Sequence, residues 1–244
     1  MEHDYLLALA IFLGATLYTI VGHAGASAYI AAMAFFSVPP LMMKPTALTL
    51  NIAVSLFASW RFVNAKYFDL KLLIPLLIGS IPMAFIGGYI QLPPHYYRPL
   101  VGVVLIVSAL RFMFLKRPKV EEANHPNLAA SVGAGGIIGL LSGLTGTGGG
   151  IFLSPLILFL GWTTTKTASG VAAVFILFNS IAGLLGNLKS TQYLPDNLLL
   201  FAIAALSGAV VGTYMGISYL SSSLVQKVLG AVLIVAGLKM LNVY

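Results

Sequence analysis

The chain of 244 residues contains no cysteine. That excludes a disulfide framework, a thiolate metal site and a thiol nucleophile, and it leaves the redox compartment unread. Charge is scarce as well. Thirteen Lys+Arg and six Asp+Glu make up 8% of the residues, against about 25% in an average globular domain. So few charges cannot coat a globular surface, which argues against a soluble enzyme, a disordered segment and a nucleic-acid binder. The six acids are Glu2, Asp4, Asp69, Glu121, Glu122 and Asp196, and all fall at predicted helix ends or in loops. No apolar run holds a carboxylate pair for acid–base work or for a hard metal ion, so neither a metal site nor a cofactor is expected.

What fills the chain instead is apolar: 59% of residues are hydrophobic, and the mean hydropathy is +0.98. No formal charge lies between Tyr5 and Met43, between Lys71 and Arg98, between Glu122 and Lys166, or between Asp196 and Lys227. A hydrocarbon core about 30 Å thick needs roughly 20 apolar residues per helix, so the chain is expected to cross a cell membrane several times. The net charge of +7 then reads as cationic loops facing anionic lipid, not as a nucleic-acid surface. Met1-Glu-His-Asp4 lacks the cationic start of a signal peptide, so the first apolar segment is expected in the mature protein.

An internal repeat organises the chain. Gly102-Val-Val-Leu-Ile-Val-Ser-Ala-Leu-Arg-Phe-Met113 aligns without a gap on Gly230-Ala-Val-Leu-Ile-Val-Ala-Gly-Leu-Lys-Met-Leu241. Upstream, Gly79 and Gly87 match Gly208 and Gly216, Gly22–Ala28 matches Gly143–Gly149, and Lys44 matches Lys166. The expected division is a first transmembrane repeat over 1–115, a polar cytoplasmic linker over 116–127, and a second repeat over 128–244. Three helices per half are predicted, at 45–62, 71–91 and 98–115, then 167–188, 196–219 and 224–243. The loop at 61–71 and the linker region with Arg111, Lys116, Arg117 and Lys119 carry the basic residues, and both can be cytoplasmic.

The first apolar run of each half differs from the rest. As one helix, residues 5–43 would extend about 58 Å, too long for one crossing. Gly22 and Gly25 break it, and Pro39-Pro40 ends the second arm. In the second half Gly146-Thr-Gly-Gly-Gly150 makes the break, and Gly161 ends an arm containing Pro155. Interrupted apolar segments at matching positions of two halves point to a transporter's binding site. The expected fold is therefore an all-α polytopic membrane protein of two related halves, each a re-entrant hairpin of half-helices plus three transmembrane helices. An odd number of crossings per half makes the repeats inverted; parallel repeats of four full crossings are the alternative.

With these features in view, the chain resembles the sulfite exporter TauE/SafE family. Gly143-Leu-Thr-Gly-Thr-Gly-Gly-Gly150, Pro155, Lys166, Ala168-Ser169 and Asn179-Ser180 carry the resemblance in the second half. The first half departs from it at Gly22-His-Ala-Gly-Ala-Ser27, where a triple glycine is commoner. There it is similar to a subgroup that keeps a histidine, followed by Pro45-Thr-Ala-Leu48 and Asn51. The resemblance implies a permease for sulfite or a small organic sulfur anion.

Each candidate residue has a plainer reading beside the functional one. The four-apart glycines Gly135/Gly139/Gly143 and Gly208/Gly212/Gly216 are explained by close helix packing. Four glycines within 146–150 are not, because they would unwind a helix, which at membrane depth is tolerated only beside protein or a wet cavity. His23 is an ionisable group inside a charge-free stretch, hence a substrate or proton site, or else the partner of a freed carbonyl. Ser27 and Thr147 are expected to cap the second arms or to donate to substrate. Asn51 and Asn179 are lone amides that either bond between helices or face substrate. Lys44 and Lys166 are expected to snorkel at the lipid–water boundary or to contact substrate directly, Tyr96, Tyr97 and Arg98 to form an interfacial belt, and Trp60 and Trp162 to sit at helix ends. The proposed substrate site comprises His23, Ala26, Ser27, Asn51, Thr147, Gly148, Gly149, Gly150 and Asn179. Ser27 stands four residues from His23, but a hydrolase would also need an orienting acid, and none is near. The expected partners are a small anion and the lipid bilayer, with a homodimer left open. A passive anion channel and a non-transporting membrane receptor are the rival functions.

Overall fold

A computed structural model describes residues 2–20, 23–114, 124, 126–218 and 222–241. Gly22 of the first break and the linker charges Lys116, Arg117, Lys119, Glu121 and Glu122 lie outside these residues. The described residues form helices joined by short connections. The first half contains α1 (Glu2–Ile20), α2 (Ala26–Phe35), α3 (Pro40–Asn64), α4 (Leu70–Tyr89) and α5 (Pro94–Phe114). The second contains α6 (Leu128–Thr145), α7 (Gly150–Phe159), α8 (Thr165–Gly186), a 3-10 turn at Leu188–Tyr193, α9 (Leu198–Ser218) and α10 (Ser222–Met240).

The helix boundaries follow local chemistry. Asp69 caps α4 by accepting from the amides of Lys71 and Leu72, and Asn127 caps α6 through Ala130, as short polar side chains do at helix starts. Pro40 opens α3, where a missing N–H costs nothing. Pro39-Pro40 thus begins the next helix as well as ending the arm before it, and Lys44 lies inside α3. Among the described residues, five helices, α1, α3, α4, α6 and α8, are long and apolar enough to cross a membrane, and α2 and α7 have only 10 residues each. The two arms of each broken run are therefore unequal. The break follows 19 residues of α1 and 18 of α6, so the first arms exceed half-helices and only the second arms are short. Asn124 donates to the carbonyl of Gly161, which brings the entry to α6 and the exit from α7 to the same end.

Glycine stripes set the packing. α6 lies along α4 with Gly135, Gly139 and Gly143 against the backbone of Leu76, Ser80 and Ala84. A Cβ at any of the three would overlap a carbonyl oxygen. Gly208 and Gly212 of α9 meet Phe12 and Thr16 of α1 in the same manner. In both pairs the numbers rise together, so the helices run parallel. The first helix of each half thus packs on the fourth helix of the other. Facing helices of equal rank run oppositely: Asn51 of α3 meets Ser180 of α8 while Tyr67, beyond α3, meets Gly170. Likewise Gly102 of α5 meets Gly237 and Leu241 of α10, and Met113 meets Gly230. The bland reading of the spaced glycines holds at Gly135, Gly139, Gly143, Gly208 and Gly212; the side-chain surroundings of Gly216 are outside the described set.

Candidate functional site

In the first break the backbone turns at Gly25, whose φ of 101° is open to glycine and strained for other residues. His23 N–H donates to the Tyr18 carbonyl at 3.0 Å, and the Tyr29 hydroxyl donates to the Ala24 carbonyl at 2.7 Å. Of the two expectations for Ser27, capping α2 is not what the structure shows. Gly25 occupies the cap position without a side-chain bond, and the Ser27 hydroxyl pairs with the Tyr18 hydroxyl at 2.6 Å. The packing of Ala28 against Gly14 folds α2 back onto α1. Ala26, the first residue of α2, is buried.

The second break uses left-handed backbone at Gly146, Gly148 and Gly149. Thr147 does not cap α7 either: Gly149 occupies the cap, and the Thr147 hydroxyl pairs with that of Thr145 at 3.0 Å. Tyr97 donates to the Thr145 carbonyl at 3.1 Å from a buried position. It is therefore a strut for the break and not part of an interfacial belt, unlike exposed Tyr96. Trp162 is likewise buried, whereas Trp60 is exposed. Inside α7, Pro155 has no N–H for the carbonyl of Ile151 four residues earlier. Arg111 supplies the bond from α5, at 3.2 Å. Arg111 lies within the predicted helix over 98–115 and serves the helix bundle, a role sequence reasoning missed; the available signal was Pro155 itself.

The two breaks meet. His23 Cδ2 lies 3.9 Å from the point a Cβ on Gly150 would occupy. Asn51 of α3 reaches the second break, with Nδ2 donating to the Thr147 carbonyl at 3.3 Å and to Ser180 Oγ at 3.4 Å. A side chain on Gly148 would overlap the Asn51 amide and crowd Ser180 Oγ, and one on Gly149 would press on Phe175. His23, Asn51, Thr147, Gly148, Gly150 and Ser180 therefore share one buried neighbourhood. Asn179 is directed elsewhere: its amide donates to Ser80 Oγ of α4 at 3.0 Å and to its own helix at Phe175. That is the interhelical bond of the plainer reading. Oδ1 of Asn51 and Oδ1 of Asn179 accept from no group among the described residues. Among the described residues, no three His, Asp or Glu side chains gather as a metal cage would need.

The model of the family described as sulfite exporter TauE/SafE matches residues 6–240. The chain belongs to the TauE/SafE family. It is 39% identical over 239 residues to the probable membrane transporter protein y4hK of Sinorhizobium fredii, covering 96% of this chain and 97% of that one. The probable membrane transporter protein YjnA of Bacillus subtilis is 24% identical, with 97% of this chain and 98% of that one aligned. A probable membrane transporter protein of Xylella fastidiosa is 29% identical over about half of each chain. No solved structure matches. TauE/SafE membership and the apolar helices make this a multi-pass protein of the cell membrane and a membrane transporter. The TauE/SafE relatives bear the names of transporters, not of enzymes.

Proposed function

We propose that the chain carries a compact sulfur oxyanion, sulfite or a small sulfonate, through the neighbourhood where the two helix breaks meet. The observation that carries this reading is the approach of His23 in one break to Gly150 in the other, with Asn51 bridging to Thr147. The first N–H groups of α2, at Ala26 and Ser27, and of α7, at Gly150 and Ile151, have no carbonyl within their own helices. A helix start bears roughly half a positive charge and binds oxyanions readily. His23 when protonated, the Asn51 amide and the hydroxyls of Ser27 and Thr147 would add donors, while Asn179 would hold α8 in register on α4. An oxyanion that keeps one proton would also donate to Asn51 Oδ1. No carboxylate is found among these residues, which favours an anion over a cation.

The movement proposed is alternating access of two inverted halves about this site. Its support is the antiparallel course of α3 against α8 and of α5 against α10. Purified protein in liposomes tests both parts of the reading. Sulfite entry that is accelerated by sulfite on the far side is expected of a carrier and not of a pore. Gly148→Leu should abolish that entry while the protein still elutes as a folded species. Full flux by Gly148→Leu, or uptake of cations in preference to anions, would refute the site.

A further inference from the structure

A crevice lies between the start of α3, the α4–α5 connection and the end of α8, where Leu41, Lys44, Gln91, Tyr97, Asn187 and Ser190 line it. Lys44 was expected to snorkel to the lipid–water boundary, but it is only 7% exposed. Its ammonium donates to the carbonyls of Gly87, Gly88 and Ile90 at 3.1, 2.9 and 3.1 Å, closing the end of α4. All three N–H donors are thereby used, yet the formal charge meets only carbonyl dipoles. Asn187 ends α8 and is 1% exposed. Its Nδ2 donates to no group among the described residues. A buried amide N–H without an acceptor is unfavourable, so the site lacks an acceptor. Gln91 donates to Ser190 Oγ at 3.0 Å, and Tyr97 is committed to Thr145. None of the lining residues is acidic.

We infer that this crevice is an anion-binding vestibule, a second site for a compact oxyanion just outside the second break. Lys44 supplies the field and Asn187 the hydrogen bond. The cavity of about 30 Å³ holds a water or a small ion and nothing of drug size. It adjoins the break directly, because the Lys44 backbone lies 3.2 Å from the point a Cβ on Gly146 would occupy. The inference rests on the anion reading for what passes through, and on Lys44 and Asn187 for the site itself.

The absence of native cysteine allows a direct test. Leu41→Cys places a thiol at the mouth, where Leu41 is half-exposed, and Phe159→Cys gives a reference thiol on the exposed end of α7. Each full-length variant is reacted with a sulfonate-bearing and with a quaternary-ammonium methanethiosulfonate. The anionic-to-cationic rate ratio at Leu41→Cys should exceed that at Phe159→Cys by about tenfold, as expected for one nearby unscreened positive charge. Sodium sulfate should slow the anionic reaction at Leu41→Cys alone. Asn187→Asp, whose carboxylate offsets the Lys44 charge, should bring the ratio down to that of the reference thiol, and Asn187→Leu, which adds no charge, should remove the sulfate protection. Equal ratios at the two cysteines, or protection that survives Asn187→Leu, would overturn the vestibule. None of these readings requires flux. A chain that prefers the anionic reagent at Leu41→Cys yet carries no sulfite would refute the proposed function and leave the vestibule standing.

Discussion

Arg111 on α5 donates to the carbonyl of Ile151 on α7, the acceptor that Pro155 leaves without an intrahelical partner. A helix interior broken by proline normally exposes a carbonyl to water, and at membrane depth no water is at hand. α5 therefore completes the hydrogen bonding of α7.

Pairing of this kind predicts a coupled mutant cycle. Arg111→Met should lower the melting temperature. Pro155→Ala restores an N–H for Ile151, so Arg111→Met should cost about 1 kcal/mol less in that background. Equal costs in both backgrounds, measured by thermal unfolding in detergent, would mean that Arg111 acts on some other group.

Glycines in the interface should behave unlike glycines facing outward. Gly139→Ala sets a methyl against the Ser80 carbonyl and should separate α4 from α6, with large loss of folded yield. Gly133 has nothing within 4 Å of its Cβ position, and Gly133→Ala should stabilise by about 0.5–1 kcal/mol through helix propensity. Comparing melting temperatures of the two variants decides the matter.

Topology can be read at Leu41 and Lys166, both accessible. Lys44 would be a poor reporter, since replacing it strips the end of α4. Single cysteines at 41 and 166 should be labelled by an impermeant thiol reagent from opposite faces of oriented vesicles. Labelling of both from one face would favour parallel repeats.

A role for His23 in proton uptake predicts how flux depends on pH. Protonation adds a donor and a positive charge beside Gly150, so anion flux should rise as pH falls. His23→Gln keeps a donor but cannot titrate, and it should flatten that rise. An unchanged profile in the variant would remove the histidine from any proton relay.

The sequence made the helical runs legible because charge is so rare: three of the four long charge-free stretches contain a helix long and apolar enough to cross, and the fourth contains α9. Positions of the two breaks were legible from glycine clusters, since no other residue turns the chain so tightly inside lipid. What did not show was side-chain direction. Asn51 and Asn179 look equivalent as lone amides in matching helices, yet one bonds into the second break and the other bonds to Ser80, a difference set by helix rotation. Ser27 and Thr147 stand where caps usually stand, but Tyr18 and Thr145 compete for their hydroxyls. Lys44 and Lys166 match in the repeat, yet Lys44 is drawn inward by the open carbonyls of α4 while Lys166 remains exposed near the Tyr67 ring. The contacts of Asn51, Asn179 and Lys166 join residues about a hundred positions apart, and no local pattern encodes them.

The pairing of α1 with α9 has a consequence for how the protein is made. While the ribosome is still producing the first half, the face of α1 around Phe12 and Thr16 has no partner, because Gly208 and Gly212 are nearly two hundred residues away. The matching face of α4 waits only until α6 follows. Assembly is thus expected to be asymmetric: α4 and α6 can dock early, whereas this face of α1 stays without its partner until α9 has been made. Premature termination before α9 would leave an orphaned glycine-accepting surface, a natural mark for membrane quality control.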